Sequence, residues 1–174
     1  LSLAILIDTS ISQERTLPSE KAAAISFLES VVRPTKDEVS VISFTGESTL
    51  EQGMTNNMTR LRRAIDRVQF VPPSGYIGGG VITGTPPASS DNQMTAGSTA
   101  IWDSIWVTSD EILGPAPEKT RRAIILLSDG VDVESLLQAS QVHEVAVRSQ
   151  ALVYWIRASA EPFDLLVRSA WRNV

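Results

Sequence analysis

Two short apolar runs, each broken off by a carboxylate, constrain this chain more than any other feature. Leu3-Ala4-Ile5-Leu6-Ile7 ends in Asp8, and Ala123-Ile124-Ile125-Leu126-Leu127 ends in Ser128-Asp129-Gly130. An unbroken apolar run of this length, without alternation, reads as a strand buried on both faces. Strands of that kind belong to parallel sheets with helices packed on either side. Set side by side and parallel, these two runs put Asp8 and Asp129 on the same sheet edge.

The remaining elements fit that plan. Pro18 suits the first turn of a helix, and Ile25, Leu28 and Val32 then recur at helical spacing until Arg33-Pro34. Residues 39–44 read as a second strand. Residues 48–54, short and weakly alternating, suit an edge strand. Asn56 or Asn57 caps a helix whose buried face is Leu61, Ala64, Ile65 and Val68. Gly97-Ser98-Thr99 opens another helix, with Ile101, Ile105, Ile112 and Leu113 inward and Trp102 and Trp106 on an adjoining stripe. Residues 133–149 read as a helix, 151–156 as a strand, and Pro162 starts a last helix carrying Leu165, Leu166 and Trp171. This alternation predicts one α/β domain over residues 1–174. Its central sheet is doubly wound and mostly parallel, with one short antiparallel edge strand and helices on both faces. Ligands of such folds bind outside the C-terminal strand ends, where strand order reverses. That point lies between the Asp8 and Asp129 strands.

Composition narrows the function classes. The 174 residues suffice for one domain with a proper core. A net charge of -5 argues against a nucleic-acid surface or an anionic membrane, which call for clustered Lys and Arg. The cluster Arg60, Arg62, Arg63 and Arg67 therefore reads as a solvated helix face. No apolar run reaches the ~18 residues of a membrane span. With no cysteine, disulfides, thiol nucleophiles and zinc–thiolate sites are excluded. Both ends read as cut, so the expectation is an excised domain.

Residues 69–96 stand apart. They hold Pro72-Pro73, Gly78-Gly79-Gly80 and Pro86-Pro87, and loops longer than about 12–15 residues are usually functional or disordered. The triple glycine lacks the Gly-Lys-Ser/Thr of a phosphate loop. Val81-Ile82 is a candidate short hairpin strand. The two tryptophans read as core, and His143, the only histidine, as a structural or surface residue.

Asp8, Ser10, Ser12, Thr99 and Asp129 are all oxygen donors. An oxygen-only set with two carboxylates suits a hard cation: Mg²⁺ first, Mn²⁺ close behind, Ca²⁺ last. Two carboxylates roughly balance a divalent ion without caging it. The ion stays electrophilic and open to one more anionic oxygen.

Asp8-x-Ser10-x-Ser12, Gly97-Ser98-Thr99 before a helix, and Leu126-Leu127-Ser128-Asp129-Gly130 together resemble the von Willebrand factor type A domain and its metal-ion-dependent adhesion site. The likeness covers nearly the whole chain and is greatest to the bacterial branch known as acidobacterial VWFA-related domains. It implies a Rossmann-like fold in which Ser10, Ser12 and Thr99 touch the metal directly while Asp8 and Asp129 act mainly through waters. Ile11 and Ser98 stand where glycines are common in the family. The family's last strand and helix are expected to be absent or truncated. The resemblance favours an extracytoplasmic or secreted location.

The function expected is a binding module, not an enzyme, in which the cation bridges to an Asp or Glu on a protein partner. One alternative is a metal-free structural scaffold, with Asp8 and Asp129 serving turn and cap chemistry. Another is a Mg²⁺-dependent phosphatase-like hydrolase. That chemistry wants a second carboxylate two residues after Asp8, where Ser10 stands.

Overall fold

The computed structural model of the chain describes residues 1–70, 72, 76–77, 80–81, 99–132, 135–157 and 167–169. A six-stranded sheet forms from β1 (Ser2–Asp8), β2 (Glu38–Phe44), β3 (Ser48–Thr55), β6 (Arg122–Ser128), β7 (Ala151–Arg157) and β8 (Val167–Ser169) in the order β3-β2-β1-β6-β7-β8. The four central strands are parallel, and β3 and β8 run antiparallel at the two edges. β1 and β6 are hydrogen-bonded neighbours, with Ile7 opposite Leu127. From β1 the chain winds outward to β2 and β3, and from β6 outward to β7 and β8. Strand order therefore reverses between β1 and β6, as the paired apolar runs predict.

The apolar runs are unbroken because each strand feeds two cores. Leu3, Ile5 and Ile7 of β1 face one side, with Val39, Val41, Ile125 and Leu127. That side is covered by α1 (Leu17–Val31) through Ala24 and Leu28 and by α2 (Met58–Arg67) through Leu61, Ala64 and Ile65. Ala4 and Leu6 face the other side with Ile42, Phe44, Ile124 and Leu126. There they meet Ile101 and Ile105 of α3 (Ile101–Val107) and Val142 of α4 (Ala139–Arg148). Trp102 and Trp106 pack half-buried against this second core, and His143 is half-buried on α4.

Asn57 caps α2 by accepting the Arg60 N–H at 3.1 Å. The α2 arginines are exposed, and Arg62 pairs with Glu29. Most of residues 69–96 lies outside the described residues. Within it, β4 (Tyr76–Ile77) and β5 (Gly80–Val81) form a two-residue antiparallel ladder, while Ile82 is outside.

Three boundaries differ from the sequence reading. α3 begins at Ile101, after Ala100, and one wide π turn over Thr108–Ile112 extends it and leaves Ile112 half-buried. Gly97 and Ser98 lie outside the described residues. α4 begins at Ala139, not at 133, because Leu136 and Leu137 donate their N–H groups to Asp103 at 2.9 Å each and are held out of the helix. The helix expected from Pro162 is replaced at Val167–Ser169 by β8, which pairs with Tyr154, Trp155 and Ile156. Leu165, Leu166 and Trp171 lie outside the described residues.

Candidate functional site

The site is built where β1 and β6 end together. Asp8, the last residue of β1, is 0% exposed, and both of its oxygens are engaged. Oδ1 accepts the Ser10 N–H at 2.9 Å, and Oδ2 accepts the Ser128 hydroxyl at 2.6 Å. Ser128 in turn accepts the Gly130 N–H at 3.1 Å. The Ser10 and Ser12 hydroxyls stand 3.1 Å apart, Ser10 buried and Ser12 exposed. Thr9 fastens this loop to β2: its N–H and its hydroxyl both donate to the Phe44 carbonyl, at 2.8 and 3.0 Å.

Asp129 follows β6 and is half-buried. Its Oδ1 accepts the Val131 N–H at 3.1 Å, closing a tight turn. Gly130 adopts φ +94°, and a Cβ there would meet the Trp155 ring at 2.9 Å. Both facts require glycine. Trp155 donates its indole N–H to the Ser128 carbonyl at 3.3 Å and meets Trp102 edge to face at 6.4 Å. Trp155 thus lies against the Asp129 turn, with Trp102 behind it.

Thr99 is 4% exposed and reaches the same sheet edge through its neighbour, since the Ala100 N–H donates to the Thr45 carbonyl just past β2 at 2.8 Å. Hydrogen bonds and charge join Asp8, Ser10, Ser12 and Asp129 directly. Among the described residues, Thr99 is placed through the backbone of its neighbour Ala100.

Two residues that sequence reasoning passed over lie directly behind the site. Gln13 ends a short 3-10 turn (Ile11–Gln13) and is buried. With its amide oriented by its neighbours, Gln13 accepts the Asp129 N–H at 3.0 Å and donates to Glu20 Oε1 at 2.6 Å. Glu20, in the first turn of α1, is 4% exposed, and its Oε2 has no hydrogen-bond partner. Burial pushes the Glu20 carboxyl up to about 7; the Thr16 hydroxyl opposes the shift, and the charges of Asp8 and Asp129 add to it. Burial likewise raises Asp8, against the hydrogen bonds from Ser10 and Ser128 and with the Asp129 charge. Among the described residues, the charges that add to these two shifts are those of Asp8 and Asp129, both negative.

That arrangement sets the available chemistry. Among the described residues no three His, Asp or Glu side chains gather into a cage able to hold a metal. The donor set is a mixed one, two carboxylates with hydroxyls, and Glu20 stands behind it. Such a set fits Mg²⁺ or Mn²⁺ better than a softer ion.

The loop after β6 also reaches across to α3. Asp132 Oδ1 accepts the Ile101 N–H at 2.7 Å and the Ser135 hydroxyl at 2.6 Å. The Ser135 oxygen accepts the Trp102 N–H at 2.9 Å. Asp103 returns the exchange by accepting the N–H groups of Leu136 and Leu137.

A family profile described as von Willebrand factor type A domain matches residues 3–132, a span that includes all five predicted donors. No curated protein sequence matches the chain. Among solved structures, the chain is similar to the conserved hypothetical protein BatB from Bacteroides thetaiotaomicron. Identity is 16% and the TM-score 0.65, over 97% of this chain and 75% of that one. It is also similar to proximal thread matrix protein 1 of the mussel byssus in two crystal structures, at 16% and 18% identity and TM-score 0.61. There the match covers 90% of this chain and only 35% of the other. At such identities the likeness is one of fold.

Proposed function

Since the chain belongs to the von Willebrand factor type A domain family, whose domains generally serve as interaction modules, we propose that it binds a protein partner through a divalent cation. The ion, Mg²⁺ or Mn²⁺, is held by Asp8, Ser10, Ser12, Thr99 and Asp129 and bridges to an Asp or Glu of the partner. The observation that carries this reading is the uncompensated negative charge at the edge. Burial raises both Asp8 and Glu20, the Asp129 charge adds to each and the Asp8 charge adds to Glu20, and among the described residues no cationic group offsets either shift. A divalent cation would supply the missing charge.

Each donor has a separate role in this reading. Asp8 has both oxygens committed to Ser10 and Ser128, which suits contact through water. Ser10 and Ser12, 3.1 Å apart, can turn lone pairs toward one ion. Thr99 would add a neutral hydroxyl. The ion supplies Lewis acidity toward one outside carboxylate, strengthened by partial exclusion of water. The role is binding without catalysis: Ser10 stands where a nucleophile–acid pair would need its second carboxylate, and His143 lies on α4. No helix among the described residues is long and apolar enough to cross a membrane.

One observation favours the metal-free scaffold as the second reading. The ring Ser128–Asp8–Ser10 is already closed by hydrogen bonds without an ion. The two readings separate with a Mn²⁺-loaded sample. Water-proton relaxation should fall when N-acetyl-glutamate amide displaces a metal-bound water, and should not change with the glutamine analogue. Equal traces for the two would remove the carboxylate bridge.

A further inference from the structure

The exchange between α3 and the loop after β6 has no role in the donor set, yet it links the segment carrying Thr99 to the segment carrying Asp129. The Ala100 position offers α3 no side-chain cap of its own. The first N–H groups of the helix would be orphaned. They are satisfied instead from another segment: Ile101 by Asp132, Trp102 by Ser135. Ser135 is itself held by Asp132 at 2.6 Å. Asp103, in the first turn of α3, closes the exchange onto Leu136 and Leu137 at 2.9 Å each. These bonds tie Ile101, two residues past Thr99, to Asp132, three residues past Asp129.

We propose that Asp132 is a positioning residue that sets where Thr99 stands relative to Asp129, by capping α3 from the β6 loop. The proposal rests on the metal reading above. Among the described residues Thr99 has no direct bond to the other four donors, and two backbone anchors just after it hold its place. One is Ala100 on Thr45, on the β2 side. The other is Ile101 on Asp132, on the β6 side. With the second anchor gone, Thr99 keeps its hydroxyl but loses its fixed distance from Asp129. The cap needs an acceptor oxygen and no charge, since Asp132 Oδ1 receives two donors. Asparagine offers the same oxygen.

The test is a double-mutant cycle read by calorimetric titration of MnCl₂ into the purified chain, with melting temperature followed for every variant. Asp132→Ala should weaken Mn²⁺ about tenfold, the range for residues that orient metal ligands. Asp132→Asn should restore affinity to within about twofold of wild type by the same reasoning. In a Thr99→Ala background, Asp132→Ala should cost no further affinity, because its effect runs through Thr99. A merely structural role would lower the melting temperature and add its loss to that of Thr99→Ala. Additive losses, or an Asn variant as weak as the Ala variant, overturn the proposal. The second of these outcomes would make Asp132 a charged ligand. If wild type binds no Mn²⁺, the metal reading fails and the positioning role falls with it. If wild type binds and Asp132→Ala binds equally, only the positioning role fails.

Discussion

Glu20→Gln gives a sign-definite test of the buried carboxyl behind the site. The folded carboxyl stands at about 7 against an ordinary value of 4.5, with burial the largest cause. Below about pH 4.5 both folded and unfolded chains hold the proton, and Glu20 contributes nothing. Between about 4.5 and 7 the folded chain binds more protons than the unfolded one, so stability falls as pH rises. Above about 7 the penalty is constant. At about 1.4 kcal/mol per pH unit it amounts to roughly 3 kcal/mol. Glutamine keeps the shape and the acceptor for the Gln13 amide but never ionises. The variant should therefore match wild type near pH 4 and exceed it by roughly 3 kcal/mol at pH 8. Urea unfolding in EDTA at pH 4, 6 and 8, followed by tryptophan emission, gives the midpoints and slopes. A difference between the two proteins that is the same at all three pH values would refute the reasoning, as would a variant less stable than wild type at pH 8.

Further perturbations follow from the packing and the turns. Leu126, fully buried in the second core, should cost about 2–5 kcal/mol on truncation to alanine, read as a lower urea midpoint. Gly130→Ala should destabilise by about 1–2 kcal/mol from its positive φ, with a change in tryptophan emission because the new Cβ meets Trp155. Asn57→Ala removes the α2 cap and should cost about 1 kcal/mol, checked by thermal melting.

The sheet was legible because its central strands are buried on both faces, and a run such as residues 123–127 has few other uses. α2 was legible because the Asn57 cap and the Leu61, Ala64, Ile65 spacing agree. The start of α4 was not, because Leu136 and Leu137 look like a helix face although Leu136 is 92% exposed. Both belong to a loop held by Asp103 from α3, a long-range contact with no local signature. The segment after Pro162 misled for a related reason: Leu165 and Leu166 carry no period that separates helix from strand. Asp8, Ser10 and Ser12 could be read as a local pattern, and Asp129 by analogy with Asp8. Glu20 could not. An acid in the first turn of a helix is an ordinary favourable charge, and only the fold turns it inward against Gln13. Asp132 and Ser135 were hidden in the same way, since the helix they cap is α3, more than thirty residues earlier in the chain.

The central claim is a divalent cation at the joint end of β1 and β6. Its most direct test is calorimetric titration of MgCl₂ into wild type, Asp8→Asn and Asp129→Asn, each first stripped with EDTA. The Asn variants keep acceptor oxygens for the Ser10 and Val131 N–H groups while each removes one negative charge. The account predicts one bound ion in wild type and a loss of about tenfold or more in each variant. Binding of equal strength in all three proteins, or no binding in wild type, would contradict it.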